Sequence, residues 1–321
     1  MKKSKNYKLL VLLITGLIII ASCVPPKSFI PVKGTGEAVD RSYSVSGFTG
    51  IEVSGGFDVI LVQGNEEGVV LTAQENLFEY IEVEVVAGTL RIYTQNNIMS
   101  TRSMKARVIF KNLDKLGVSG GGDVTAETAI DVPGLHLTLS GGGNISSVIH
   151  STDLKCEISG GGDARIDGTV GNFNLVLSGG GDIRSDISSK NIGCLISGGG
   201  NINLVNKEKA DEAKIEISGG GDMNLQLDAE NLICSISGGG DATINGSATK
   251  FDISLHGGGD LRADQFVAGY VTFQAGGGSD LHIQALKEIN GQISGGGDLY
   301  YSGTADKVDV DARGGSEIHR N

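Results

Sequence analysis

Tryptophan is absent from this 321-residue sequence, and aromatic residues make up only 5% of it. That shortage argues against a sugar site of stacked indoles and against an aromatic platform for single-stranded nucleic acid. Proline is scarce as well, at 4 residues, and the 51 glycines follow no collagen-like period of three. Glycine enrichment beside ordinary apolar content points to a turn-rich repeat rather than a disordered linker. Basic residues fall short of acidic ones, 26 against 38. Residues 1–22 hold four lysines and no acids, so the rest of the chain carries 22 − 38 = −16. Such a surface repels phosphate backbones, which argues against nucleic acid as a partner. It suits solubility, divalent cations or basic polymers. The five histidines show no metal-ligand spacing, and no Ser/His/Asp arrangement stands out.

The N-terminus has the form of an export signal. Lys2, Lys3, Lys5 and Lys8 precede a largely apolar run at residues 9–20, too short to span a bilayer comfortably. The run ends in Ile20-Ala21-Ser22-Cys23, which resembles a bacterial lipobox. The chain is therefore expected to lose residues 1–22 and to be lipidated on Cys23, with several acyl chains giving a stable membrane anchor. Residues 23–42 hold three of the four prolines, Pro25, Pro26 and Pro31, and read as a flexible tether.

From residue 117 onward one phrase recurs: apolar, Ser, Gly, Gly, Gly, Asp or Asn. Its last position falls at Asp123, Asn144, Asp163, Asp182, Asn201, Asp222, Asp241, Asp260 and Asp298, in steps of 19 or 21 with one of 38. The long step contains a degenerate copy, Ala275-Gly276-Gly277-Gly278-Ser279, in which Ser279 is read as the Asx equivalent. A fixed period near 20 means stacked coils. Before each serine, apolar residues alternate with mostly polar ones, and the alternation resumes after the Asx, as half-buried strands require. The expected fold is all-β: a right-handed parallel β-helix over residues 43–321, with about 19–21 residues per coil. Each coil should hold two short strands joined at the glycines, with the extra residues of the 21-residue steps near 131–134 and 206–211. Residues 43–116 should form three irregular coils capping one end.

The phrases Ser46-Gly47-Phe48-Thr49-Gly50-Ile51, Val53-Ser54-Gly55-Gly56-Phe57-Asp58, Ile81-Glu82-Val83 and Gly88-Thr89-Leu90-Arg91-Ile92, followed by the repeated glycine heads, resemble the auto-transporter adhesin head domain family (GIN domain, DUF2807). The resemblance implies a β-helix on a cell surface and brings no catalytic residues with it.

Two arrangements could carry function. The first is the acidic row, with Asp163, Asp182, Asp222, Asp241 and Asp260 as candidates for cation or polar-surface binding. Carboxylates stacked ~4.8 Å apart repel by about 1 kcal/mol per neighbour even in water. Either a cation such as calcium lies between coils, or each Asx accepts backbone N–H bonds from its own turn. The swaps to Asn144 and Asn201 suit the turn. The second is Asp-x-Arg-x-Asp, which places Arg165 and Arg184 on adjacent coils facing outward. Ion pairing on a solvated face is the plain account, and a polysaccharide-cleaving site is the alternative. Cys156, Cys194 and Cys234 share one inward position on alternate coils, too far apart for disulfides, and should be buried apolar residues.

The function expected is non-catalytic adhesion or ligand binding at the cell envelope, with no cofactor and an unknown surface polymer or protein as partner. The outer membrane is the expected location, on its periplasmic or surface side. A structural spacer is the rival.

Overall fold

The computed structural model describes residues 31–99 and 104–321; the signal segment and Cys23 lie outside them. The body, residues 31–321, is nearly all β, a solenoid of about 11 stacked parallel coils. Among the described residues, one 3-10 turn, Glu75–Glu79, interrupts it.

A typical coil is one 14-residue strand, as at Ile145–Ile158, Ala164–Leu177 and Ile183–Ile196. Along Ile145–Ile158 the buried residues are Ile145, Ser147 and Ile149, then Leu154, Cys156 and Ile158. The parity changes across residues 150–153, where the chain turns while both arms keep facing inward. The hydrogen-bonded ladder crosses this second corner with only Thr152 and Gly171 out of register contact. The expected pair of separate strands is thus one strand bent at its middle.

The other corner is the glycine triplet. An added Cβ on Gly160 or Gly162 would sit 1.7 or 1.8 Å from a carbonyl oxygen of the preceding coil, whereas one on Gly161 meets nothing within 4 Å. The first and third glycines are therefore demanded by coil spacing. The corner keeps its own hydrogen bonds: Gly161 N–H donates to the Gly141 carbonyl over 2.8 Å.

Inside, each rung meets its equivalent above and below. One column runs Leu137, Cys156, Leu175, Cys194, Ile215, Cys234, Ile253 and Phe273, in unbroken register. The three cysteines are free and buried in this line, as their spacing implied. Burial pushes the Cys194 and Cys234 thiols up to about 12 and raises Cys156 too. Because the thiolate is the reactive form, none of the three should react with a thiol reagent within hours at pH 8 until denaturant is added. Stoichiometric labelling of the native chain would contradict this packing.

The N-terminal part departs from the expected three irregular coils. Its strands are β1 (Val32–Lys33), β2 (Ala38–Tyr43), β3 (Gly50–Ser54), β4 (Asp58–Gln63), β5 (Gly68–Gln74), β6 (Ile81–Val86), β7 (Thr89–Thr94), β8 (Ile98–Met99) and β9 (Lys105–Phe110). β3 and β4 form one true coil, and β7 and β9 form a rung beneath it. The chain then returns to the other side of β3 and β4 with β10 (Lys115–Gly120) and β11 (Val124–Ala126). Val53 consequently pairs with both Ile92 and Val118. Antiparallel strands finish the end: β6 on β7, β5 on β9 and β2 on β5. The β6–β7 hairpin turns at Ala87 (φ 48°) and Gly88 (φ 77°). Positive φ at both central residues is the tight turn that matches strand twist. Ala-Gly gives a weaker signal for it than Asn-Gly, so the hairpin was hidden in the sequence.

Three further boundaries move. The tether expected at 23–42 ends earlier, because β1 pairs with β8 and all of β2 pairs with β5, satisfying their backbone groups. The extra residues of the first 21-residue step lie at 127–129, since Asp131 and Val132 are already in the ladder; those of the second lie near 207–211, as expected. Ser279 fills the slot of the third glycine, and Asp280 takes the Asx position.

Candidate functional site

The acidic row is a hydrogen-bonded ladder between coils. In each step the backbone N–H of one Asx donates to the Oδ1 of the Asx one coil earlier. The series starts with Asp123 N on Asp58 Oδ1 (3.2 Å), passes through Asp182 N on Asp163 Oδ1 (2.8 Å) and Asp260 N on Asp241 Oδ1 (2.8 Å), and ends with Glu317 N on Asp298 Oδ1 (2.8 Å). Every coil between contributes the same bond. The acceptor role was expected, but the donor belongs to the next coil rather than to the residue's own turn. A charged acceptor strengthens such a bond. Asn fits because it keeps Oδ1, and its amide adds a bond to the preceding carboxylate: Asn144 Nδ2 to Asp123 Oδ1 is 3.0 Å and Asn201 Nδ2 to Asp182 Oδ1 is 2.9 Å.

The second carboxylate oxygens remain for other partners. Arg262 uses two of them, reaching Asp241 Oδ2 at 3.2 Å and Asp260 Oδ2 at 3.1 Å. Arg165 pairs along its own strand with Asp167 at 2.9 Å instead of across strands. Arg184 lies in register beside Arg165, and its neighbour Asp186 turns to Lys207 at 3.7 Å. Arg165 and Arg184 share a shallow groove of about 290 Å³ with Asn203 and Asn224. Among the described residues no group of three or more His, Cys, Asp or Glu side chains could hold a metal ion. Millimolar calcium is therefore expected to move the melting midpoint by less than about 2 °C, roughly 1 kcal/mol or less for a chain of this size. A shift several times larger would restore the cation between coils.

A second site was missed by the sequence reading, because it needs the hidden hairpin. β7 brings Arg91 and Tyr93 alongside Glu52 and Ser54 of β3, and β10 brings Lys115, Gly117 and Ser119 on the far side. Together with the neighbouring coil they line a concavity of about 500 Å³. Glu52 lies at its centre, 2.6 Å from Lys115 Nζ and 3.3 Å from Arg91 Nε. The Lys115 hydrogen bond, aided by both cations, holds the Glu52 carboxyl below the usual range despite some desolvation. The Tyr93 hydroxyl donates to Glu84 Oε1 at 3.3 Å. Partial desolvation and the Glu84 and Glu82 carboxylates push that phenol up. Gly117 sits in register between Glu52 and Thr138, leaving the floor without a side chain. The arrangement offers hydrogen bonds, one aromatic wall and locally balanced charge.

Among solved structures, the chain is similar to a protein from Parabacteroides distasonis ATCC 8503 described as a "putative lipid binding protein", at 19% identity over 91% of this chain and 99% of that one, with a TM-score of 0.35. It is also similar to a "putative adhesin" from Parabacteroides merdae ATCC 43184, at 15% identity over 90% and 98% of the two chains with a TM-score of 0.38. Another "putative adhesin", from Bacteroides fragilis NCTC 9343, shares 16% identity over 90% and 100%, with a TM-score of 0.31. Scores this low transfer no function. No curated protein matches the chain. The model of the family "Putative auto-transporter adhesin, head GIN domain" matches twice, over residues 47–212 and 186–305, which together cover the cap strands from β3 onward and most of the coils. The chain therefore belongs to the auto-transporter adhesin head GIN domain family.

Proposed function

We propose that this chain is a lipid-anchored envelope protein that binds a surface ligand without chemical turnover. The carrying observation is the concave site between the β6–β7 hairpin and the first coils, where Arg91 and Lys115 hold Glu52 and Glu84 holds the Tyr93 hydroxyl. Charged groups braced in this way form a preorganised recognition surface, because little side-chain entropy is left to lose on binding. The lipobox-like Ile20-Ala21-Ser22-Cys23 supports attachment through Cys23, and an envelope location agrees with the family. Among the described residues no helix is long and apolar enough to cross a membrane. Metabolic labelling with a tagged fatty acid tests the anchor: the full chain should incorporate label and Cys23→Ala should not. Adhesion of cells making or lacking the chain tests binding, and equal adhesion would remove this reading. The spacer reading draws on the Asx ladder, whose bonds are spent between coils, and it expects that equality.

A further inference from the structure

We propose that the concave site beside the β6–β7 hairpin takes a neutral saccharide, a short segment of a glycan chain. The inference rests on the reading of this chain as a binding protein and adds the class of ligand.

Charge is the first argument. Arg91 and Lys115 both engage Glu52, and Glu84 supplies a second carboxylate, so the four groups sum to zero. An anionic sugar, sulfate or phosphate would find its cations already paired, on a chain of net charge −12. An acyl chain would have to desolvate these ion pairs without replacing their hydrogen bonds, which is costly.

The hydroxyls are the second argument. Ser54, Ser119 and Ser140 stand in register on successive coils, with Thr138 beside them. Coil spacing sets such hydroxyls ~4.8 Å apart. Each can donate and accept, as the hydroxyl groups of a sugar also do. Lys115, Glu52 and Arg91 add fixed donors and acceptors at the edge. The Tyr93 ring gives the apolar wall on which the less polar face of a sugar ring can rest. One tyrosine replaces the indole stack whose absence the composition had counted against sugars.

Depth is the third argument. At Gly117 a Cβ would lie 3.6 Å from Glu52 Cγ, an ordinary contact, so packing does not require glycine there. The missing side chain is what makes the floor. The volume, about 500 Å³, falls in the range of small-molecule sites.

The test applies full-length chain, solubilised in detergent micelles, to an array of neutral oligosaccharides built on glucose, mannose, galactose and N-acetylglucosamine. Sialylated glycans, sulfated glycans and vesicles with free palmitate are the other arms. The wild-type chain should bind at least one neutral class. Gly117→Phe should weaken that binding at least tenfold while keeping the melting midpoint, because its Cβ is accommodated. Tyr93→Ala should weaken it about tenfold, the loss of roughly 1.4 kcal/mol. Binding confined to the charged or palmitate arms, or undiminished in both variants, overturns the proposal. Cell adhesion separates the two levels. Should Gly117→Phe reduce adhesion while no neutral glycan binds, the ligand class is wrong and the binding reading stands. Should removal of the whole chain leave adhesion unchanged, the binding reading itself falls.

Discussion

Gly162→Ala is expected to lower the melting midpoint by about 10 °C or more, while Gly161→Ala, one residue away, leaves it within about 2 °C. The Cβ added at 162 would lie 1.8 Å from the Gly143 carbonyl oxygen and 2.7 Å from its carbon. Both partners are backbone, so no rotamer change relieves the overlap. The coils must separate and give up hydrogen bonds such as Ile145 N to Asp163 O at 2.9 Å. That belongs with the largest single-residue costs, about 4 kcal/mol or more. In a body this long each kcal/mol moves the midpoint by about 2–4 °C. At Gly161 the Cβ points into open space and φ is not positive. Alanine there restricts the unfolded chain and can even add about 0.4–1 kcal/mol. Hydrogen exchange should place the Gly162→Ala defect in the coils on either side, since solenoid repeats couple to nearest neighbours. Equal effects at the two positions would refute the assignment of the triplet's roles.

The second large effect is expected on the Asx ladder. Asp222→Ala should cost about 1–3 kcal/mol, because it strips the acceptor from the Asp241 N–H, now bonded at 2.9 Å. Asp222→Asn keeps that oxygen and removes one charge from the run Asp222, Asp241, Asp260. Its amide can donate to Asn201, the pattern already present at Asn144 and Asn201. The Asn variant should match or slightly exceed the wild type in a urea midpoint at low salt. Its advantage should shrink in 1 M salt, where the Debye length falls to about 3 Å. If alanine and asparagine behave alike, the ladder contributes nothing and the row is only a solvated edge.

The coil was legible because its causes are local and repeated. Period, inward alternation and the cysteine line all follow from residues whose neighbours are their own equivalents one coil away. What escaped depended on contacts that the period does not encode. Ser279 looked like an Asx because it follows three glycines, yet Gly276 is in the serine slot and shifts the frame by one. The hairpin at Ala87-Gly88 has no strong turn dipeptide, and without it the strands at 81–94 read as further coils. The pocket joins Arg91 and Tyr93 to Lys115 across β3, an adjacency created by the chain doubling back. Asp163, Asp182, Asp222, Asp241 and Asp260 do lie in one row, but the donor each one meets is the backbone N–H of the next coil, a partner set by stacking and not by the local turn.

The doubling back also governs assembly. The rung made by β7 and β9 lies outside β3 and β4 although it is synthesised after them. In a chain that folds from its N-terminus the first coil therefore has no finished neighbour until residue 110 joins it, and its two open strand edges close at different times. Beyond Asp123 the coils stack in chain order, so in that direction each new coil would add to one already complete. Folding that proceeds from the N-terminus would then begin in the first eighty or so residues of the body, and every later repeat would change reach without changing that start.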